Sequence, residues 1–168
     1  DRGAFSDLLI RLDIPFPEYG TATDVEGALS IADRIGYPVL IRPSYVLGGQ
    51  GMRIAVRQEE LERYVANILK THPENAFLID KYLEYAIEVD VDSVYDGDQL
   101  HIAGMMQHIE PAGVHSGDST AVIPPYSLSD EIQATIRAYQ ERIAKVMNIQ
   151  GFLNVQYAVK DDKVYILE

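Results

Sequence analysis

Apolar residues recur at helical spacing in three stretches of the chain. Between Thr23 and Ile35 they fall three and four positions apart, and Thr23 with Glu26 matches a capping box, so a helix is predicted there. The same spacing predicts a second helix over residues 59–71. A third begins after Ser129, which suits the N-cap position.

Shorter runs of β-branched or alternating residues separate these helices and predict strands. Between residues 87 and 95, apolar positions alternate with acidic ones, so the two sets should occupy opposite faces of a sheet. Turn residues at 96–98 and 161–162 predict hairpins. The strands are expected at residues 38–43, 76–80, 87–95, 100–106, 152–159 and 164–168. Helices interleaved with antiparallel hairpins predict an α+β fold of at least two layers.

Composition limits the classes of function. Hydrophobic residues make up 47% and charged residues 24% of the 168 residues, as in an ordinary globular domain. The net charge of -12 repels nucleic acid and acidic membrane surfaces, and no run approaches the roughly 20 apolar residues of a membrane span. The absence of cysteine excludes thiol chemistry and fits a cytoplasmic protein. No nucleic-acid or membrane partner is therefore expected.

A cation and a glycine-rich loop lie close together in the sequence. Arg42 ends a predicted buried strand, six positions before Gly48 and Gly49. Glycines let backbone N–H groups approach an anion closely, so this segment could bind phosphate. A tight turn beside a surface arginine is the plainer alternative, since neither the Walker nor the dinucleotide pattern is present.

The acidic face of Glu88, Asp90 and Asp92 has two interpretations. An acidic protein often exposes such a face to solvent. Alternatively, Glu88 hydrogen-bonds ribose hydroxyls or binds a hard cation, and the extended segment from Lys81 to Leu83 offers its backbone to a base edge.

Two oxygen-bearing side chains lie in the final hairpin. Gln156 interrupts an apolar strand and Glu168 ends the neighbouring strand, so both could project toward one point and bind Mg²⁺. A frayed terminus is the alternative for Glu168.

Two other chemistries have weaker support. His115, Ser116 and Asp118 are residue types of a hydrolase triad, but no nucleophile elbow is present. His108, Glu110 and His115 lack the helical zinc-binding pattern.

Five segments in chain order carry a resemblance. They are Arg42-Pro43-Ser44-Tyr45-Val46-Leu47-Gly48-Gly49, Leu78-Ile79-Asp80-Lys81-Tyr82-Leu83-Glu84, Ile87-Glu88-Val89-Asp90-Val91-Asp92, Gly113-Val114-His115-Ser116-Gly117-Asp118-Ser119 and Asn154-Val155-Gln156. Together they resemble the large subunit of carbamoyl phosphate synthetase. The first and fourth segments look more like its second, carbamate-phosphorylating half than its first half.

The resemblance implies an ATP-grasp fold of two lobes with antiparallel sheets and flanking helices. A lead-in helix and linker would cover residues 1–20. A small lobe with the glycine-rich loop would follow over 21–83, and a large lobe, truncated at its C-terminus, over 84–168.

The resemblance also implies a role for each matching residue. Catalysis would depend on Arg42, Gln156 and Glu168. Arg2 and Arg42 would contact the ATP phosphates, under a loop that contains Gly48 and Gly49. Lys81 and Leu83 would contact the adenine edge, and Glu88 the ribose. The nucleotide pocket would also be lined by Gly113, Val114, His115 and Ser116. Gln156 and Glu168 would bind Mg²⁺ or Mn²⁺, and a potassium site would be bordered by Glu88, His108, Glu110 and Ser119.

The implied activity is ATP-dependent phosphorylation of carbamate, within carbamoyl phosphate synthesis for arginine and pyrimidine biosynthesis. The implied partners are the remainder of the large subunit and a glutaminase small subunit. Another ATP-grasp ligase, such as a biotin carboxylase-like enzyme, and a non-catalytic nucleotide-binding module are the alternatives. Gln50 replaces a usual arginine, and the chain ends before the family's Asn-Pro-Arg run. The isolated chain is therefore expected to be inactive.

Overall fold

The computed structural model describes residues 2–43, 52–71, 76–114 and 116–168, except for the side chains of Arg2 and Ser116. Within these ranges the helices are α1 (Arg2–Arg11), α2 (Val25–Ile35), α3 (Gln58–Thr71) and α4 (Asp130–Val146), with a short 3-10 helix at Ser116–Asp118. The strands are β1 (Tyr19–Ala22), β2 (Val39–Pro43), β3 (Arg53–Ala55), β4 (Phe77–Lys81), β5 (Ile87–Tyr95), β6 (Leu100–His108), β7 (Ala121–Val122), β8 (Gly151–Lys160) and β9 (Lys163–Ile166).

The chain divides into two compact units. The first comprises Pro17–Glu84, and the second combines Asp1–Phe16 with Tyr85–Glu168. The sequence prediction had set residues 1–20 apart as a lead-in. Instead, Leu9 and Ile14 belong to the hydrophobic core of the second unit, and β1 belongs to the sheet of the first.

The first unit is a four-stranded antiparallel sheet covered by two helices. Its strand order is β1-β4-β2-β3, and α2 and α3 supply the buried side chains Ala28, Ala32, Leu61 and Val65. Alternation along β2 buries Val39 and Ile41 in this core, so Arg42 lies on the opposite face.

Helix α2 begins one residue later than the capping box predicted. Asp24, rather than Thr23, is the N-cap, and its side chain accepts a hydrogen bond of 2.7 Å from the Gly27 N–H. Either residue type can cap a helix, and the local sequence offered both in succession. The N-cap of α4, by contrast, is Ser129 as predicted.

The second unit is a five-stranded antiparallel sheet in the order β7-β6-β5-β8-β9. The apolar side chains of β5 and β8 face a core completed by α1 and α4, including Val89, Val91, Ile136 and Val155. Strict alternation therefore directs Glu88, Asp90 and Asp92 to the other face, as the sequence predicted.

Three short strands were not predicted. β1, β3 and β7 contain four, three and two residues, too few to establish a period of two in the sequence. Each pairs along one side of a longer strand, so tertiary pairing rather than local pattern defines it.

None of the helices in the described ranges is both long and apolar enough to cross a membrane.

Candidate functional site

Arg42 is held by a carboxylate within the first unit. Its Nε and Nη2 atoms each lie 2.9 Å from Asp80 Oδ2. Arg42 is in register with Leu78, so Asp80 is its diagonal neighbour on β4 and lies on the same face. The Asp80 side chain is 4% exposed and that of Arg42 is 19% exposed. The guanidinium is thus fixed near the end of β2, and Asp80 is a partner of Arg42 that the sequence argument missed.

Lys81 uses its side chain on the helix side of the sheet. Its Nζ donates hydrogen bonds of 3.0 Å to the carbonyl of Gly36 and 2.9 Å to that of Tyr37, which follow α2. Carbonyls at a helix end carry partial negative charge and favour a cation there. The predicted adenine contact of Lys81 is therefore left to its backbone. Within the described ranges the Leu83 N–H has no hydrogen-bond partner.

Glu88 is buried, which excludes the solvated-face interpretation at this position. The residue is 5% exposed, Oε1 accepts 2.9 Å from the Gly113 N–H, and Oε2 accepts 3.2 Å from Gln156 Nε2. Burial raises the pKa of Glu88, although the hydrogen bond from Gly113 and the nearby His108 oppose that rise.

His108 lies between two carboxylates of β5. Its Nε2 is 2.8 Å from Asp90 Oδ2 and its Nδ1 is 3.4 Å from Glu88 Oε2. A carboxylate only accepts, so the Asp90 contact requires the proton on Nε2. The Nδ1 atom has no hydrogen bond among the described residues. Asp92, one step further along the strand, is exposed and accepts 2.8 Å from Asn154 Nδ2. The acidic face thus changes from buried to exposed along β5.

Gln156 and Glu168 are backbone neighbours. The Gln156 N–H donates 2.9 Å to the Glu168 carbonyl, and the Leu167 N–H donates 2.8 Å to the Gln156 carbonyl. Residues 167 and 168, which follow the end of β9 at Ile166 and do not continue the strand as predicted, thus lie opposite Gln156. Within the described ranges, no group of three or more His, Asp or Glu side chains has metal-binding geometry.

The segment from Glu110 to Thr120 is closed by its first carboxylate. Glu110 accepts 2.6 Å from the Thr120 N–H and 3.0 Å from the Thr120 hydroxyl. Gly113 has a φ of 91°, a conformation that favours glycine, and the Val114 N–H donates 3.4 Å to the Pro111 carbonyl. This backbone brings the Gly113 N–H to Glu88.

Several predicted site residues are not placed by the structure. Gly48, Gly49 and His115 lie outside the described residues, as do the side chains of Arg2 and Ser116. The roles predicted for them remain predictions.

Two antiparallel sheets with flanking helices, taken together with the similar solved structures, define the fold class as ATP-grasp. The fold is similar to the ADP complex of purK, N5-carboxyaminoimidazole ribonucleotide synthetase, with a TM-score of 0.80 at 16% identity over 100% of this chain and 43% of that one. It is also similar to the biotin carboxylase domain of Hydrogenobacter thermophilus 2-oxoglutarate carboxylase, with a TM-score of 0.78 at 23% identity over 96% and 37% of the two chains. At these identities the likeness shows the fold alone.

The whole chain, residues 1–168, matches the family model of the carbamoyl-phosphate synthase L chain, ATP binding domain, and the chain belongs to that family. It is 54% identical to the carbamoyl phosphate synthase large chain of Archaeoglobus fulgidus over 100% of its own length and 16% of that protein. It is 56% identical, again over its whole length, to the C-terminal section of the Methanocaldococcus jannaschii large chain, of which it spans 27%. The chain thus corresponds to a small part of each relative.

Proposed function

We propose that this segment binds MgATP and phosphorylates carbamate to carbamoyl phosphate as part of a longer large chain. The observation that carries the proposal is the identity of 54% and 56% to carbamoyl phosphate synthase large chains over all 168 residues. The match to a protein described as a C-terminal section supports the second, carbamate-phosphorylating half.

The proposed nucleotide contacts are those that the sequence predicted. Arg42 contacts the phosphates, and its hydrogen bonds to Asp80 hold the guanidinium ready for them. The Leu83 N–H, which has no hydrogen-bond partner in the part of the chain that the structure describes, is suited to the adenine edge. The Lys81 N–H donates 2.7 Å to the Glu18 carbonyl, so the proposed adenine contact of Lys81 is its carbonyl. Glu88 binds the ribose, and the proposed pocket also includes Arg2, Gly48, Gly49, Gly113, Val114, His115 and Ser116.

The residues present fit a divalent cation. Gln156 and Glu168 offer oxygen atoms from paired backbone positions, and Mg²⁺ takes one or two carboxylates together with substrate phosphates and water. Gln156 and Glu168 would hold a Mg²⁺ or Mn²⁺ ion there, which would supply charge neutralisation for the phosphates.

The reaction is attack of a carbamate oxygen on the γ-phosphorus of ATP, which releases ADP and forms carbamoyl phosphate. Phosphoryl transfer of this kind depends mainly on positioning and on charge stabilisation, so little covalent work is asked of the protein. Arg42 stabilises negative charge on the transferred group, and Glu88 fixes the nucleoside at the far end of the substrate. No general base is needed in this scheme.

The wider setting follows the relatives. We propose that the remainder of the large chain and a glutaminase subunit are partners, and that the product serves arginine and pyrimidine biosynthesis in the cytoplasm. Potassium is proposed near Glu88, His108, Glu110 and Ser119. The hydrogen bonds between Glu110 and Thr120 support an ordered segment there.

The test uses a longer section of the protein that contains this segment and is as long as the Methanocaldococcus jannaschii relative. This protein is called the long section below. With carbamate and MgATP, the long section is expected to form ADP and carbamoyl phosphate in equal amounts, measured by ³¹P NMR. Gln156→Ala and Glu168→Ala should each abolish most turnover, whereas Asn154→Ala, on the same face of β8, should retain it. Turnover with biotin or another carboxylate instead of carbamate would overturn the proposed acceptor.

The same assay should find the 168-residue segment inactive by itself, because it spans only 16% and 27% of the two relatives. Turnover by the short chain would contradict the need for further residues.

A further inference from the structure

Glu88 and Gln156 meet diagonally across two strands. Glu88 is in register with Ala158 and Gln156 with Asp90, yet Gln156 Nε2 reaches Glu88 Oε2 at 3.2 Å. The contact links the proposed ribose ligand to the proposed metal ligand through one hydrogen bond.

This contact distinguishes the two ends of the Gln156 amide. The amide has a donor end, Nε2, and an acceptor end, Oε1, and an ionised carboxylate only accepts. If Oε1 faced Glu88, two acceptor oxygens would lie about 3 Å apart and repel each other. Glu88 therefore selects the orientation of the Gln156 amide in which Nε2 faces Glu88 and Oε1 points away from it.

Glu88 is itself held in place. Its other oxygen accepts from the Gly113 N–H at 2.9 Å, and the side chain is 7% exposed. His108 lies against Glu88 Oε2 and is anchored 2.8 Å from Asp90. A buried carboxylate with these neighbours has little freedom to rotate, so it can define the orientation of a more exposed amide.

We propose that Glu88 is a positioning residue for the metal ion: it fixes the Gln156 amide so that Oε1, and not Nε2, is presented to the divalent cation. The inference rests on the proposed function, because it takes Gln156 as a metal ligand. It adds a second role to Glu88, separable from the ribose contact.

A single substitution should reverse the amide. In E88Q the side-chain oxygen can still accept from the Gly113 N–H, which leaves an NH₂ group facing Gln156. Two donors would then oppose each other, and the Gln156 amide would turn its oxygen toward position 88 and its NH₂ toward the metal. A carboxylate at position 156 has oxygen on both branches, so in a Q156E background the same change at position 88 should not weaken metal binding. It also removes the repulsion between two carboxylates at this contact.

The experiment measures how much metal strengthens nucleotide binding. Isothermal titration of ADP into the long section, at mildly alkaline pH, gives one dissociation constant with EDTA and one with Mn²⁺. The dissociation constant with EDTA divided by that with Mn²⁺ reports how much the metal strengthens binding. E88Q is expected to lower this ratio by about 10- to 100-fold, the usual effect of losing a group that orients a metal ligand. In the Q156E background E88Q removes the repulsion between two facing carboxylates, so it should not lower the ratio of Q156E.

The matched control is Asp92→Asn. Asp92 and Asn154 form another carboxylate–amide pair between the same two strands, at 2.8 Å, and among the described residues the Gln156 amide hydrogen-bonds Glu88 and not this pair. The ratio of dissociation constants for Asp92→Asn should equal that of the unmodified protein. The dissociation constant with EDTA separately reports the ribose contact, and it should rise in E88Q in both backgrounds.

The outcomes separate the two proposals. An unchanged ratio in E88Q, or an equal loss in both backgrounds, overturns the positioning role while leaving nucleotide binding intact. Failure of the unmodified long section to bind ADP, or to bind it more tightly with Mn²⁺, overturns the proposed function and the inference together.

Discussion

The two units handle buried charge in opposite ways. In the unit of Pro17–Glu84, the cation Arg42 is paired with the carboxylate of Asp80. In the other unit, Glu88 is surrounded by the Gly113 N–H, the Gln156 amide and the His108 ring, with no arginine or lysine among its described hydrogen-bond or ion-pair partners. The first arrangement presents an oriented guanidinium, and the second presents an oriented set of oxygens. These suit the two needs of a metal nucleotide, namely a positive charge for phosphate and oxygen ligands for a cation and a ribose.

The largest effect is expected from removing the cation. Arg42→Ala leaves the buried Asp80 carboxylate without its paired charge and should lower the free energy of unfolding by about 3 kcal/mol. It should also abolish most of the MgATP-induced thermal shift, because ligand-linked stability disappears with affinity. Urea denaturation of the chain and thermal melts of the long section measure the two effects.

The control for that experiment is the double variant R42A/D80N. It removes the uncompensated carboxylate, so it should regain part of the lost stability but none of the MgATP shift. A thermal shift of normal size in R42A would remove Arg42 from the nucleotide site.

The second unit also relies on neutral hydrogen bonds on the core side of its sheet. The Tyr157 hydroxyl donates 2.6 Å to Gln140 Oε1, and Gln140 Nε2 donates 2.8 Å to Ser93 Oγ, with Tyr157 and Gln140 fully buried. Tyr157→Phe leaves the Gln140 oxygen unsatisfied and should cost about 2 kcal/mol of unfolding free energy, measured by urea denaturation. A loss of unfolding free energy below about 0.3 kcal/mol would show that the hydroxyl is not needed.

A smaller change separates helix capping in the first unit from its charge pair. Asp24→Ala removes the acceptor of the Gly27 N–H and should cost about 1 kcal/mol of unfolding free energy. Thr23→Ala is the matched control and should have almost no effect. The reverse result would restore the capping box predicted from the sequence.

The smallest effect is a pH dependence assigned to Glu88. Its pKa is raised above the usual 4.5 by burial, so the folded protein holds the proton more tightly than the unfolded chain does. The resulting stability is complete below the unfolded pKa and disappears as pH rises through the folded pKa. Relative to E88Q, which cannot ionise, the unmodified protein should lose stability from mildly acidic to neutral pH in urea denaturation. A gain in the stability of the unmodified protein relative to E88Q as pH rises would contradict the raised pKa.

Long periodic segments were predictable from the sequence, and contacts between distant segments were not. The alternation of 87–95 correctly indicated which face of β5 carries the acidic residues, and Ser129 correctly marked the start of α4. The one-residue error at α2 arose because two capping residues are adjacent.

The sequence indicated candidate site residues but not the contacts among them. The sequence indicated Arg42, Glu88 and Gln156, yet it gave no sign that Asp80 would bind the guanidinium or that Asp90 would anchor His108. Those partners are 38 and 18 positions apart in the chain and depend on strand register. Burial of Glu88 likewise depends on the segment that brings Gly113 to it.

The most direct test of the account is a binding isotherm for MnATP with the long section and two of its variants, Arg42→Ala and Gln156→Ala. If Arg42 and Gln156 contact the nucleotide as proposed, the unmodified protein binds MnATP and each variant weakens that binding at least tenfold. Unchanged MnATP affinity in either variant would contradict the proposed nucleotide-binding role of the substituted residue.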